Sequence, residues 1–182
     1  MIQKHSMTAE DLLAMPSDGN SYELVRGELR MMTPAGFEHG RIAMRIGSRI
    51  NQHVERNKLG VVLAAETGFT LERDPDTVRA PDVSFVHRDR IPSPSERQKF
   101  AELAPDLAVE VISPSNRTIE IDEKISDYLN AGVRLVWVVY PETQSVAEHR
   151  PNTPAKEFDL EDTLQGYDVL PDFTCAVADL IG

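Results

Sequence analysis

A long amphipathic helix is predicted over residues 38–57. Its apolar positions recur every four residues and, at 100° per residue, fall on one stripe. These positions are Ile42, Ile46, Ile50 and Val54. His39 lies on the same stripe near the start of the segment, so its side chain is expected on the buried face of the helix.

A second helix is predicted between two apolar runs, 107–112 and 133–140. It starts with Thr118 as its cap and stops at Gly132. Its apolar stripe consists of Ile121, Ile125, Tyr128 and Leu129. Two strands joined by a single helix form a βαβ unit, so we expect the two runs to pair as parallel strands.

Shorter elements are predicted elsewhere in the chain. A helix begins at Thr8, and a hairpin pairs residues 22–26 with 29–32 around a turn near Gly27. The polar segment 88–104 is expected to be a surface loop, and two strands are expected before it, at 61–71 and 83–86. Beyond Pro141, we expect an antiparallel appendage with short strands at 145–150, 156–160 and 165–169.

The order of these elements predicts one mixed α/β domain over residues 1–182, with a core at about 38–141 and an appendage at about 142–182. A length of 182 residues fits a single domain. The hydrophobic fraction of 41% and the modest Pro and Gly content exclude a disordered or fibrous chain. No apolar run approaches the roughly 18 residues of a membrane span, and the N-terminus has no signal-peptide core.

The single cysteine, Cys175, excludes an internal disulfide and a thiolate zinc cage. It fits a reducing compartment, so we expect a cytoplasmic protein without a membrane partner. Motifs of several other enzyme classes are missing from the sequence: it has no Walker loop, no G-x-G-x-x-G, no G-x-S-x-G and no H-x-x-x-H.

The net charge of −11 argues against a passive nucleic-acid coat. The acidity is uneven, because the segment 142–182 holds nine acidic and only two basic residues. One flank of the 38–57 helix is basic and forms a candidate nucleic-acid surface. Its residues are Arg41, Arg45 and Arg49.

Two carboxylates are candidate metal ligands. Glu110 lies within an apolar strand, where a charge is costly unless it is paired or metal-bound. Asp82 precedes the strand predicted at 83–86, and acids at the ends of adjacent strands can converge on Mg²⁺. The alternatives are a Glu110 that pairs with an arginine at the strand end and an Asp82 that only shapes a turn.

Lys124 is a candidate third member of this site. It lies on the rim of the apolar stripe early in the second helix, from which its long side chain can reach back to the acids. There it would orient the attacking water or neutralise phosphate charge. The alternative is an ordinary surface lysine whose stem packs on apolar neighbours.

Several short motifs, in order along almost the whole chain, resemble the putative restriction endonuclease family of the PD-(D/E)XK nuclease superfamily. They are Tyr22-Glu-Leu-Val-Arg-Gly-Glu28, His39, Pro81-Asp82, Glu110-Val-Ile-Ser-Pro-Ser115, Lys124 with Tyr128 and Gly132-Val133, Trp137-Val-Val139, Pro141 and Pro171-Asp-Phe-Thr. The resemblance implies a restriction-endonuclease-like αβββαβ core, an N-terminal hairpin and an antiparallel C-terminal appendage.

The resemblance also implies a function: hydrolysis of nucleic-acid phosphodiesters by a homodimer that uses Mg²⁺ or Mn²⁺, with DNA as the expected substrate. Asp82 and Glu110 would be the acids of the motif, and the backbone carbonyl of Val111 a further metal ligand. Ile112 stands where the motif has lysine, so the lysine role falls to Lys124.

Two other residues have open interpretations. His39 is either a core histidine or a group that contacts phosphate or positions water. Glu23 supplies a third carboxylate or pairs with Arg26 or Arg30, and Glu66 raises a similar question. Two functions also remain as alternatives: a catalytically inactive interaction module on the same fold, and a metal-dependent hydrolase of a small phosphoester.

Overall fold

The computed structural model describes residues 6–114 and 117–182. Residues 1–5 and Ser115, the last residue of the motif that begins at Glu110, lie outside the described part. The helices are α1 (Ala9–Leu13), α2 (Phe37–Asn57), α3 (Thr118–Asn130) and α4 (Val177–Ile181). The strands are β1 (Ser21–Val25), β2 (Glu28–Met32), β3 (Gly60–Ala64), β4 (Phe69–Glu72), β5 (Thr77–Arg79), β6 (Val83–His87), β7 (Leu107–Val111), β8 (Leu135–Tyr140), β9 (Ser145–His149), β10 (Lys156–Phe158), β11 (Thr163–Gln165) and β12 (Thr174–Ala176).

A mixed six-stranded sheet forms the centre of the molecule, in the order β10-β9-β8-β7-β6-β3. β7 and β8 are parallel, with Val109 opposite Trp137, and the other pairs are antiparallel. The elements α2, β3, β6, β7, α3 and β8 follow the predicted αβββαβ order. The predicted βαβ unit and mixed α/β class are therefore confirmed.

A smaller sheet, in the order β2-β1-β5-β4, contains the predicted hairpin. Its β1–β2 turn is made by Arg26 and Gly27, both with positive φ. The prediction of one strand over 61–71 is wrong, because β3 belongs to the large sheet and β4 to the small one. The chain leaves the extended conformation at Glu66, whose φ is 70°. The three-residue β5, which the sequence analysis did not predict, pairs with both β1 and β4.

The helix boundaries agree closely with the predictions. The Thr8 side chain caps α1 together with Asp11, and α2 begins one residue before the predicted start. Thr118 was expected as the cap of α3, and this is wrong, because Thr118 is the first helical residue and Arg117 is the N-cap. The Glu120 carboxylate accepts the Arg117 N–H at 3.5 Å, which places the cap one residue earlier.

The core lies on both faces of the large sheet. α2 packs on one face with the segment from β11 to α4, and α3 packs on the other face. The predicted appendage is thus built into the main body, since β9 and β10 extend the large sheet and Leu164 and Leu170 are fully buried. The strand predicted at 165–169 forms instead at Thr163–Gln165, where it pairs with β12.

The 88–104 segment is a largely polar surface connection, as predicted, with short 3₁₀ turns at Arg88–Arg90 and Glu96–Gln98. Within the described ranges, no helix combines the length and apolar character needed to cross a membrane.

Candidate active site

The two predicted acids meet at the edge shared by β6 and β7. Asp82 directly precedes β6, and Glu110 is the penultimate residue of β7. The strands are antiparallel, with Val83 opposite Val109. The backbone N–H of Val111 donates to Oδ2 of Asp82 at 2.8 Å, so the strand pairing brings Asp82 next to Glu110.

Lys124 reaches back from α3 to these acids, as its position on the helix predicted. Its Nζ lies 3.2 Å from Oε1 and 3.1 Å from Oε2 of Glu110. The hydroxyl of Tyr128, one turn further along α3, donates to Oε1 of Glu110 at 2.6 Å. Glu110 is therefore held by two side chains of the helix that follows its own strand.

Glu23 enters the same cluster from β1, although its partners differ from those expected. The predicted pairing with Arg26 or Arg30 is wrong, because Oε2 of Glu23 accepts from Nη1 of Arg79 at 2.9 Å. Oε1 of Glu23 lies 3.1 Å from Nζ of Lys124. Arg79 is the last residue of β5, which neighbours β1, so the small sheet places both side chains together.

His39, in the first turn of α2, contacts the cluster from the other side. Its Nε2 lies 3.1 Å from Oδ2 of Asp82, and the side chain is 16% exposed. The histidine therefore binds a candidate site residue and does not simply fill the core.

Burial raises the pKa of Glu110 to about 7, and the charges of Asp82 and Glu23 add to the increase. The Lys124 ammonium opposes this rise. Any cation that binds this carboxyl near neutral pH would have to compete with its proton.

The pKa values of two basic side chains in the cluster, Lys124 and His39, are raised. Burial lowers the pKa of Lys124, but Glu110 and Glu23 raise it further, and the net shift is upward. The hydrogen bond that His39 makes to the Asp82 carboxylate raises the pKa of His39. Lys124 is therefore a fixed cation and hydrogen-bond donor at neutral pH, not a proton acceptor.

The donor set at the acids fits a hard divalent cation. Asp82, Glu110 and the carbonyl of Val111 offer only oxygen atoms, which Mg²⁺ and Mn²⁺ accept. In the described part of the chain, no three His, Cys, Asp or Glu side chains are grouped to hold a metal. Two carboxylates with a carbonyl suffice for Mg²⁺, which usually keeps several waters.

The acids lie in a cleft of about 480 Å³ between the β1–β2 hairpin and the start of α3. Its charged lining is nearly balanced, with five carboxylates against four cationic side chains. The carboxylates are Glu23, Asp82, Glu110, Glu120 and Glu123, and the cations are Arg30, Arg79, Arg117 and Lys124. A polyanion entering this cleft needs additional positive charge near the acids.

The predicted arginine surface lies apart from this cleft. Arg41, Arg45 and Arg49 surround a separate surface depression on α2. Arg41 donates to the carbonyl oxygens of Ile181 and Gly182, and Arg49 pairs with Asp179 at 3.5 Å. Contact between these three arginines and nucleic acid therefore stays a prediction.

The Glu66 carboxylate is also remote from the acids. It is exposed and accepts a hydrogen bond from the Ser21 hydroxyl at 2.8 Å. This contact is with a serine, whereas the sequence suggested either a further site carboxylate or a pairing with an arginine.

Arg79 and Asp127 belong to the site although the sequence did not mark them as candidates, and Tyr128 was expected only as a residue of the buried stripe and of the family motif. Arg79 is 4% exposed and donates through Nη2 to Asp127 at 2.6 Å. The signal that could have identified it is a charged residue close to the apolar positions Val78 and Ala80, three residues before Asp82. Tyr128 lay on the predicted buried stripe and in the family motif, but neither indicated its hydrogen bond to Glu110.

Comparison with solved structures shows that another protein shares this fold. The crystal structure of a putative nuclease belonging to DUF820 from Anabaena variabilis ATCC 29413 superposes with a TM-score of 0.84. The two chains are 22% identical over 96% of this chain and 97% of the other. The likeness establishes a restriction-endonuclease-like fold.

Sequence comparison gives the family. No curated protein is significantly similar to the chain. The profile of the Uma2 family, described as putative restriction endonuclease, matches residues 9–178. The match spans both sheets and every residue of the acid cluster. The chain therefore belongs to the Uma2 family of putative restriction endonucleases.

Proposed function

We propose that this protein is a metal-dependent endonuclease that hydrolyses phosphodiester bonds of DNA, with Mg²⁺ or Mn²⁺ as its cofactor. One observation carries the proposal: Asp82, Glu110 and Lys124 converge in one cleft. Each of the three comes from a different part of the αβββαβ core. Membership of the Uma2 family supports the same reaction class.

Asp82, Glu110 and the Val111 carbonyl would hold the cation. When bound, it supplies positive charge to the phosphodiester and lowers the pKa of water. His39 fixes the orientation of the Asp82 carboxylate through Oδ2, and the Val111 N–H binds the same oxygen. Oδ1 is then the Asp82 oxygen that these two hydrogen bonds leave for a ligand.

Lys124 would act directly on the reacting phosphate. Its ammonium is charged, largely buried and anchored at both Glu110 oxygens. A fixed cation in a site shielded from water stabilises the negative charge that develops on phosphate oxygens during hydrolysis. The Tyr128 hydroxyl donates a hydrogen bond to Glu110 and keeps the Glu110 carboxyl facing Lys124.

Duplex cleavage is best served by two copies of this cleft, so we propose that the active species is a homodimer. Arg41, Arg45 and Arg49 are proposed to contact the nucleic-acid backbone outside the cleft. The proposed compartment is the cytoplasm, where the buried Cys175 thiol remains reduced.

Cleavage of supercoiled plasmid DNA with Mn²⁺ tests the proposal on wild type, Asp82→Asn and Glu110→Gln. Glu148→Gln is the matched control, because Glu148 is equally buried but lies on β9 beside Trp137. We expect both site variants to lose about 100-fold or more in rate, since loss of several kcal/mol of charge stabilisation costs that much. The control should cut like wild type.

Each other outcome has a defined meaning. Cleavage by Asp82→Asn at the wild-type rate contradicts the assignment. If the protein hydrolyses bis(p-nitrophenyl) phosphate but leaves DNA uncut, it is a hydrolase of small phosphoesters and not a nuclease. Inactivity toward both substrates supports the interaction module.

A further inference from the structure

The Glu23 carboxylate has both of its oxygens occupied. Oε2 accepts from Nη1 of Arg79 at 2.9 Å, and Oε1 accepts the backbone N–H of Ala80 at 3.0 Å. Oε1 also lies 3.1 Å from Nζ of Lys124. Glu23 is 3% exposed. These three donors, from Arg79, Ala80 and Lys124, hold the Glu23 carboxylate in one orientation beside the Lys124 ammonium.

Lys124 lies between the carboxylates of Glu110 and Glu23, which have different binding partners. Glu110 is the proposed metal ligand, whereas Glu23 is bound by Arg79 and by the backbone N–H of Ala80 in the β5–β6 connection. A divalent cation bound to Glu110 would neutralise the charge of that carboxylate and repel the Lys124 ammonium. Glu23 is then the carboxylate that still attracts Lys124.

Arg79 connects Glu23 to the helix that carries Lys124. Its Nε and Nη2 bind Oδ2 of Asp127 at 2.9 and 2.6 Å. Asp127 lies one turn after Lys124 on α3. The arginine therefore sets the position of the small sheet against α3 at the level of Lys124, and it does so with charge-assisted bonds.

We propose that Glu23 is a positioning residue that holds Lys124 at the candidate active site, with Arg79 and Asp127 fixing Glu23 in place. The inference rests on the proposed nuclease function for its effect on catalysis. It replaces the idea of Glu23 as a third metal carboxylate. Its structural part is independent of any activity.

The first test follows the Lys124 ammonium by nitrogen-15 NMR in the metal-free protein. The resonance is assigned through its loss in Lys124→Met. We expect it to persist in Glu110→Gln, where Glu23 alone holds the ammonium, and to vanish through fast solvent exchange in Glu23→Gln/Glu110→Gln. Persistence in the double variant overturns the proposal even if no nuclease activity is found.

The second test separates positioning from metal binding. Calorimetric Mn²⁺ affinity of Glu23→Gln should stay within about twofold of wild type, while the kcat for plasmid cleavage falls about tenfold or more. A marked loss of Mn²⁺ affinity would identify Glu23 as a metal ligand and contradict the proposal. Glu148→Gln again serves as the control for loss of a buried carboxylate.

A double-mutant cycle completes the design. If Glu23 acts through Lys124, Glu23→Gln adds less than about twofold to the loss caused by Lys124→Met. Fully multiplicative losses would overturn the proposal. Glu23→Asp retains the charge at a shorter reach and should recover part of the kcat. A folding defect would be detected by thermal denaturation, and the recovery by Glu23→Asp then distinguishes positioning from general destabilisation.

Discussion

Glu110 combines two opposing demands within one side chain. Burial favours its neutral form, whereas Lys124 favours its charged form. The net result is a pKa of about 7, compared with an ordinary value of 4.5. A cation that bound this carboxyl would favour its charged form, so its binding would be coupled to the loss of the Glu110 proton.

This pKa predicts a pH-dependent gain in stability for Glu110→Gln. A carboxyl whose folded pKa is raised contributes stability below its unfolded pKa and loses it as pH rises through the folded pKa. Glutamine mimics the neutral form at every pH. We therefore expect a higher Tm than wild type at pH 8, by roughly 2–8 °C, and a much smaller gain at pH 4.5.

Thermal denaturation with EDTA present measures this difference. Glu148→Gln provides the comparison for a buried glutamate elsewhere in the fold. A Tm gain of Glu110→Gln that is independent of pH, or a loss at pH 8, would contradict the raised pKa of Glu110.

Individual site residues were predictable where the strand pattern exposed a conflict. A glutamate within the apolar run 107–112 was expected to have a charged partner. The position of Lys124 on the rim of the helical stripe indicated that its side chain could reach this glutamate. Glu23 and Arg79 were harder, because they face each other across two strands that are 56 residues apart in sequence. Local periodicity contains no information about such a pairing.

At the scale of elements, α2 organises one face of the large sheet. Its four stripe residues are fully buried, and the helix packs on the sheet and on α4. The same helix presents His39 from its first turn to Asp82. Packing of the stripe therefore also sets the distance between the histidine and the acid.

Truncation of the stripe should destabilise the whole domain. We expect Ile46→Ala to cost about 2–5 kcal/mol in the free energy of unfolding, because it leaves a cavity under a fully buried side chain. Met44→Ala is the control on the same helix, since Met44 is 71% exposed. Urea denaturation measures the free energy of unfolding of both variants. Equal losses for the two substitutions would contradict the assignment of the buried face of α2.

Elements with long or regular patterns were predicted well, and short ones were not. The four-residue repeat of α2 and the apolar runs of β7 and β8 identify their structures directly. The turn at Glu66 was not predicted, because the apolar, alternating pattern of residues 61–71 does not show where the strand ends. The turn follows from the pairing of β3 and β4 with strands of different sheets. β5 and β12 have three residues each, too few for a pattern.

At the scale of the molecule, two sheets and α3 meet at one cleft. The large sheet supplies Glu110, the connection between the sheets supplies Asp82, and α3 supplies Lys124. The small sheet adds Glu23 and Arg79. The cleft has a nearly balanced charge and the chain a net charge of −11. The proposed cleavage of a nucleic acid would therefore depend on the additional positive charge of a bound cation.

A calorimetric titration with Mn²⁺ tests this requirement most directly, because it needs no assumption about the substrate. Wild type, Asp82→Asn, Glu110→Gln and the control Glu148→Gln are compared at pH 7.5. The account predicts binding by wild type and the control, and loss of binding in both site variants. Equal binding by all four proteins, or no binding by wild type at millimolar Mn²⁺, would contradict a metal site at Asp82 and Glu110.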